Sequence, residues 1–299
     1  MPTLADTGED ALVHRLVRHL PLGDDVLAGP GDDCAVVLAP AGGRHLLLKT
    51  DAVVEDVHFL RSAPPQLIGR KALARAISDI GAMGGTPRHA LVTLVLPPEL
   101  ETTFIEQAYA GMSALAAEFG ISIVGGETTR GRQVVISIAL TGEATSFVRR
   151  STAQAGDAIL VTGALGGSIT GRHFTFQPRL IEARWLLDHH TPTAMMDLSD
   201  GLGKDLPRLA AASGLEFAVE PPALPCNPGC TPVQAWSDGE DYELLFTIGQ
   251  PQVAALVEAW PQAFPELPLT VIGRLVPAGQ GEEPPFSRTG WDPFAAPGT

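Results

Sequence analysis

Strand-like apolar runs in this 299-residue chain end repeatedly in glycine and a carboxylate, with helix-like stretches between them. An acid at the start or end of a strand sits at a sheet edge, facing solvent or a cleft. The first example is Gly29-Pro30-Gly31-Asp32-Asp33-Cys34-Ala35, a turn that delivers two carboxylates to the run Ala35-Val36-Val37-Leu38. Alone, it reads as an Asp-rich turn. Asp51 lies inside the strand expected over 46–54, where aspartate has poor propensity and needs a reason. Asp79 falls in the last turn of a helix expected from Pro64-Pro65 to about Met83, where the macrodipole opposes negative charge. A pair with Arg75 would be worth roughly 0.2–0.5 kcal/mol, so a bound cation explains Asp79 better. Glu127 follows Gly125-Gly126 in a loop after the short strand 121–124, and Asp197 and Asp200 flank Ser199 before the helix 203–213. Asp200 also suits that helix as its N-cap. Glu240 and Asp241 precede the strand 242–248.

The remaining pattern predicts helices over 7–20, 102–119, 181–189 and 252–260, and strands over 90–96, 134–140, 158–162, 215–219 and 269–275. It breaks around 145–156, which divides the chain into domains 1–147 and 148–299. The glycines at 163–167 lack a lysine in Walker position, which excludes a P-loop. His14 and His19 read as solvent-facing, and Cys226 and Cys230 as loop residues. Trp291, in a Pro- and Gly-rich tail, either pins that tail to the core or stacks on a ligand.

A formal charge of −14 argues against nucleic acid or an anionic membrane as partner. Three cysteines imply no disulfide framework, and with no signal-like start or long apolar run the expected location is cytoplasmic. An acidic protein can still bind an anionic ligand when divalent ions intervene. Converging carboxylates without counter-ions would repel one another and rise in pKa, a conflict that Mg²⁺ resolves while bridging phosphates. Arg130 and Arg150 are the basic groups available to phosphate. The leading class is therefore metal-mediated phosphoryl chemistry; metal-dependent phosphoester hydrolysis and an acidic Ca²⁺- or Mg²⁺-binding structural domain are the alternatives.

Six motifs also resemble, in order and spacing, those of the thiamine-monophosphate kinase family. They are Gly31-Asp32-Asp33-Cys34-Ala35, Thr50-Asp51 with His58-Phe59, Ser78-Asp79-Ile80-Gly81-Ala82-Met83-Gly84, Gly125-Gly126-Glu127-Thr128-Thr129-Arg130-Gly131, Asp197-Leu198-Ser199-Asp200-Gly201 and Asp238-Gly239-Glu240-Asp241-Tyr242-Glu243-Leu244. The wider superfamily includes aminoimidazole ribonucleotide synthase and selenophosphate synthetase; the His58 and Glu240 motifs and Trp291-Asp292-Pro293-Phe294 point to the thiamine branch. The resemblance implies a two-domain α/β (α+β) aminoimidazole ribonucleotide synthase-like fold. Its N-terminal sheet would form a barrel with its twin in a homodimer, beside a C-terminal α/β domain. ATP as co-substrate and several Mg²⁺ would lie in the cleft between domains, for direct in-line phosphorylation of thiamine monophosphate to thiamine diphosphate.

By motif position the resemblance assigns Asp33, Thr50, Asp51, Asp79, Glu127, Asp197 and Asp200 to metal, with Asp51, Asp79 and Asp197 catalytic. It assigns Tyr109, Gly125, Gly126, Arg150 and Ser199 to ATP. His58, Glu240 and Trp291 would bind thiamine monophosphate, with Trp291 on an aromatic ring and Glu240 near the cationic end. Glu127 stands where the family usually carries Asp, and the segment between Gly167 and Arg179 is shorter than usual. Another ATP-dependent member of the superfamily, or an altered paralogue, are the alternatives those departures leave.

Overall fold

The structure, a computed structural model, describes residues 3–18, 20–39, 44–286 and 290–294. His19, expected to face solvent, lies outside the described residues. The first sheet holds β1 (Val26–Ala28), β2 (Ala35–Leu38), β3 (His45–Val54), β4 (Thr86–Leu96), β5 (Ser122–Arg130) and β6 (Val135–Ala144) in the order β1-β2-β3-β6-β4-β5. Neighbours are antiparallel except β4 and β5, a parallel pair joined through a helix.

One face of this sheet is built by strict alternation. After Leu47, which lies opposite Gly142, Lys49, Asp51 and Val53 of β3 align across β6 and β4 with Leu140 and Ala90, Ile138 and Val92, and Ile136 and Leu94. All of these apolar side chains are buried, together with the inward face of α3 (Pro65–Ala82). Lys49 and Asp51 are thus two charges set into an apolar row. Helix α4 (Thr102–Glu118) packs on α3 closely enough that a Cβ on Gly69 would sit 1.8 Å from Ala108 O, and one on Gly111 1.9 Å from Gln66 O. Those two positions have no room for a side chain.

The second sheet runs β8-β10-β7-β11-β9, antiparallel throughout, from β7 (Ala158–Thr162), β8 (Pro192–Asp197), β9 (Leu215–Val219), β10 (Leu244–Ile248) and β11 (Leu269–Pro277). Every residue of β7 and β10 is buried, because apolar cores cover both faces of this sheet. One core gathers α7 (Leu202–Ala212) and Trp236 of α8 (Pro232–Ser237); the other gathers α6 (Leu180–His189) and Trp260 of α9 (Gln250–Ala263).

The structure departs from the sequence pattern in three places. The helix expected over 7–20 is two, α1 (Leu4–Thr7) and α2 (Glu9–Val17), divided at Gly8 with φ 71° and capped by Thr3 rather than Thr7. The glycine-rich stretch after Val124 is not a loop but the continuation of β5, paired with β4 through Arg130. The strand expected from 242 starts at Leu244, since Glu240 (φ 63°) and Tyr242 (φ 53°) adopt left-handed backbone. A short helix, α5 (Arg172–Thr175), occupies the shortened segment before α6.

Candidate active site

Three distant segments bring carboxylates to one point. Asp33 comes from the turn before β2, Asp79 from the last turn of α3 and Asp197 from the end of β8. One oxygen from each lies within 4.8 Å of the others, and all three residues are buried. Burial, then the charge of Asp33, pushes Asp197 up to about 7 despite a hydrogen bond from Ser78. Asp79 is raised well above the carboxylate range, first by burial and then by its acidic neighbours, against the opposing pull of Lys49.

The protein supplies part of the counter-charge. Arg150 clasps Asp33 with Nε at 3.3 Å and Nη2 at 2.7 Å, while its backbone N–H donates to Asp32 at 2.7 Å. Lys49 Nζ donates to Asp79 Oδ1 at 2.7 Å. Arg75 meets both oxygens of Asp51 at 3.1 Å. Asp79 is therefore paired with Lys49 and not with Arg75, which the helical spacing had offered as its partner.

Lys49, Asp51, Arg75, Asp79 and Asp197 line a cavity of about 510 Å³ between the two sheets, to which Thr50, His58, Ser199, Asp200 and Trp291 also contribute. His58 Nδ1 accepts the backbone N–H of Val54 at 3.1 Å, which leaves the proton on Nε2. Burial, then the charge of Arg75, lowers its pKa to about 4. His58 is a neutral hydrogen-bond donor at pH 7, not a general base. Its folded pKa lies below the unfolded value, so its burial costs stability as pH falls from about 6.5 to 4. Ring-proton NMR should show no His58 titration between pH 5.5 and 8; a midpoint near 6.5 would contradict the assignment. Trp291, 39% exposed, packs edge-on to His58 with ring centroids 5.6 Å apart. Its backbone N–H donates to Asp200 O at 2.9 Å, and its carbonyl accepts from Lys204 at 2.8 Å.

Behind His58 lies a buried ammonium. Lys71, 0% exposed, donates to His58 O at 2.7 Å and to Glu240 Oε2 at 2.6 Å, and its Nζ lies 2.7 Å from His173 Nδ1, which is itself 3.0 Å from Glu240 Oε2. Burial outweighs the attraction of Glu240 and lowers Lys71 to about 8. Burial would raise Glu240, but His173, Lys71 and Arg75 together bring it down to about 2. Glu240 Oε1 lies 3.8 Å from Arg75 Nη1, a buried nitrogen with no hydrogen-bond partner.

The Ser199-Asp200 loop is held by Asp205, whose Oδ2 accepts both backbone N–H groups at 3.1 and 2.9 Å. Asp200 does not cap α7; Gly201 does, without a side-chain bond, and the Asp200 carboxylate instead meets Arg208 at 2.6 Å. Arg208 also reaches Asp10 of α2, which brings the N-terminal segment to the cavity rim.

Other expected site residues lie apart from the cluster. Glu127 shares a lateral row with Thr93, Ser137 and Ala52 on the sheet face opposite Asp51. Three strand spacings separate Glu127 from Ala52, about 14 Å. Gly125 and Gly126 precede it on the same edge strand, and Tyr109 packs, half-buried, against the first core. Thr50 lines the cavity, but alternation turns it away from the face that carries Asp51. A smaller cavity of about 220 Å³, bordered by Glu220, Gln250, Arg274 and Glu282, shares none of these residues.

Residues 31–144 match the family described as AIR synthase related protein, N-terminal domain, and residues 134–283 match its C-terminal domain. The thiamine-monophosphate kinase of Rhodopirellula baltica is 38% identical over 278 residues, 87% of this chain and 85% of the relative. That of Aquifex aeolicus is 33% identical over 93% of this chain and 94% of its own length. The chain belongs to the thiamine-monophosphate kinase family. Among solved structures, AaThiL complexed with AMPPCP and TMP is similar with a TM-score of 0.83 at 31% identity, over 98% of this chain and 99% of that one. No helix among the described residues is long and apolar enough to cross a membrane.

Family motifs led to the acidic residues but not to their partners. Lys49, Lys71, His173 and Asp205 emerge only from the structure, as does the pairing of Arg75 with Asp51. Two signals were available. Lys49 and Asp51 interrupt the alternating apolar row Leu47 to Val53, and Lys71, Arg75 and Asp79 recur four apart on one face of α3.

Proposed function

We propose that this chain transfers the γ-phosphoryl group of ATP directly to the phosphate of thiamine monophosphate, giving thiamine diphosphate and ADP. The observation that carries this reading is one cavity that joins a buried three-carboxylate cluster to a wall formed by His58 and Trp291. Membership of the thiamine-monophosphate kinase family, and the likeness to AaThiL complexed with AMPPCP, an ATP analogue, and TMP, support it.

The donor set suits Mg²⁺, a hard ion bound through carboxylate oxygens. Asp33, Asp79 and Asp197 would hold it, with Asp51 and Asp200 at the rim; bound there, it supplies charge neutralisation between two polyanions. Because Asp197 and Asp79 sit high in the absence of an ion, metal binding should release protons. Calorimetry at pH 7 in buffers of different ionisation enthalpy should show that release, and heats independent of buffer would contradict it.

In the reaction an acceptor phosphate oxygen attacks the γ-phosphorus as the bond to the β,γ-bridging oxygen breaks and ADP departs. The acceptor is already largely dianionic at pH 7, with a second pKa of about 6, so no general base is needed. This agrees with a His58 whose Nδ1 is already engaged. Arg75 Nη1 and His58 Nε2 are donors suited to the acceptor phosphate, and Trp291 to the thiamine ring. Glu240 keeps Oε1 for the cationic end while Lys71 holds Oε2.

Ser199, Arg150, Tyr109, Gly125 and Gly126 are proposed for the nucleotide. Glu127, at its distance, would serve a separate ion. A homodimer through the outer sheet face completes the reading, supported by exposed Leu48 and Leu91 there. ADP formation from ATP and Mg²⁺ should depend on added thiamine monophosphate; equal rates without it would contradict the proposal.

A further inference from the structure

Lys49 is placed by the strand that carries Asp51, between the buried Leu47 and Val53, so its direction is fixed by the pleat of β3. It enters the cluster from the sheet side and meets Asp79 Oδ1 at 2.7 Å. Arg150 clasps Asp33 at 2.7 Å and Arg75 clasps Asp51 at 3.1 Å. Among the described residues, Asp197 has no such clasp. The acidic cleft is thus partly neutralised by cations that belong to the chain.

We propose that the Lys49 ammonium is a resident counter-ion of the Asp33, Asp79 and Asp197 cluster, holding a position at Asp79 that an additional divalent ion would otherwise take. The inference rests on the metal-binding reading above. A tethered ammonium has an effective concentration independent of free metal, and it repels a dication approaching the same oxygen. Lys49 therefore lowers the number of ions this chain binds and keeps the metal-free cluster from unfolding the cleft. It acts as a positioning residue, through Asp79, and needs no contact with substrate.

The test uses Mn²⁺ alone, without nucleotide, titrated into the full chain and into Lys49→Met and Lys49→Arg. Bound ions are counted from loss of the free-Mn²⁺ paramagnetic resonance signal. Lys49→Met should bind one Mn²⁺ per chain more than the wild type, whereas Lys49→Arg should match the wild type. In EDTA, the Lys49→Met midpoint should fall by at least about 4 °C and recover in Mn²⁺. Equal counts and equal EDTA responses in Lys49→Met and the wild type would overturn the inference and leave the metal reading intact. No bound Mn²⁺ in either protein would overturn both. Should Lys49→Met not fold, anomalous diffraction from wild-type crystals in Mn²⁺ decides. Lys49 Nζ still on Asp79 supports the inference; Mn²⁺ at that oxygen with Lys49 displaced overturns it.

Discussion

Asp79→Asn is expected to lower kcat by at least about 100- to 1,000-fold, the scale set by loss of one preorganised electrostatic group in a closed site. The substitution keeps the shape of the side chain but removes the charge at the centre of the acidic cluster. It also leaves Lys49 opposite a neutral amide oxygen in place of its 2.7 Å carboxylate partner, so the ammonium faces a cluster with one carboxylate fewer. Both effects reach the same place: the site loses the charge pattern that lets two phosphate groups approach. Steady-state rates across a wide Mg²⁺ range check this, with circular dichroism to confirm the fold. A near-normal rate at saturating Mg²⁺ would remove Asp79 from the catalytic machinery.

The second large effect concerns stability. Glu240→Gln leaves Lys71, fully buried, with neutral acceptors alone. Removing one partner of a buried ion pair typically costs about 3–5 kcal/mol. The pH dependence identifies the cause. Lys71 is already lowered to about 8 beside Glu240, and without that carboxylate it must fall further. Between this lowered value and the unfolded value near 10.4 the unfolded chain binds more protons, so stability rises with pH across that window. Because the variant's lysine titrates below the wild type's, the Glu240→Gln deficit should shrink as pH rises to about 8 and stay small above it. Urea unfolding at pH 7 and 9.5 measures it, and adding Lys71→Met should recover part of the loss. A deficit that does not change with pH would point to the left-handed backbone at residue 240 instead.

Sheet and helix positions could largely be read from apolar periodicity, because β3, β7 and β10 present long apolar runs and α3 an apolar face. Asp51 and Asp79 could be singled out because each sits where its own element disfavours it. Their convergence with Asp33 and Asp197 could not be read locally, since it depends on how two sheets pack. Lateral strand order was equally hidden: Glu127 follows a glycine pair as the motif requires, yet β6 and β4 lie between it and β3. Lys71 drew no reading from the sequence and Arg75 only a weak helical pairing with Asp79; packing shows that one is fully buried and the other bound to Asp51. The break at Gly8 was missed because the apolar spacing on either side fits one continuous helix.

The central claim is that this cavity joins two phosphates directly. Phosphorus NMR of one mixture of the protein, ATP, Mg²⁺ and thiamine monophosphate tests it most directly. The account predicts paired doublets of thiamine diphosphate growing in step with ADP, one for one, without accumulation of inorganic phosphate. Inorganic phosphate and ADP with thiamine monophosphate unchanged would contradict it and identify a hydrolase.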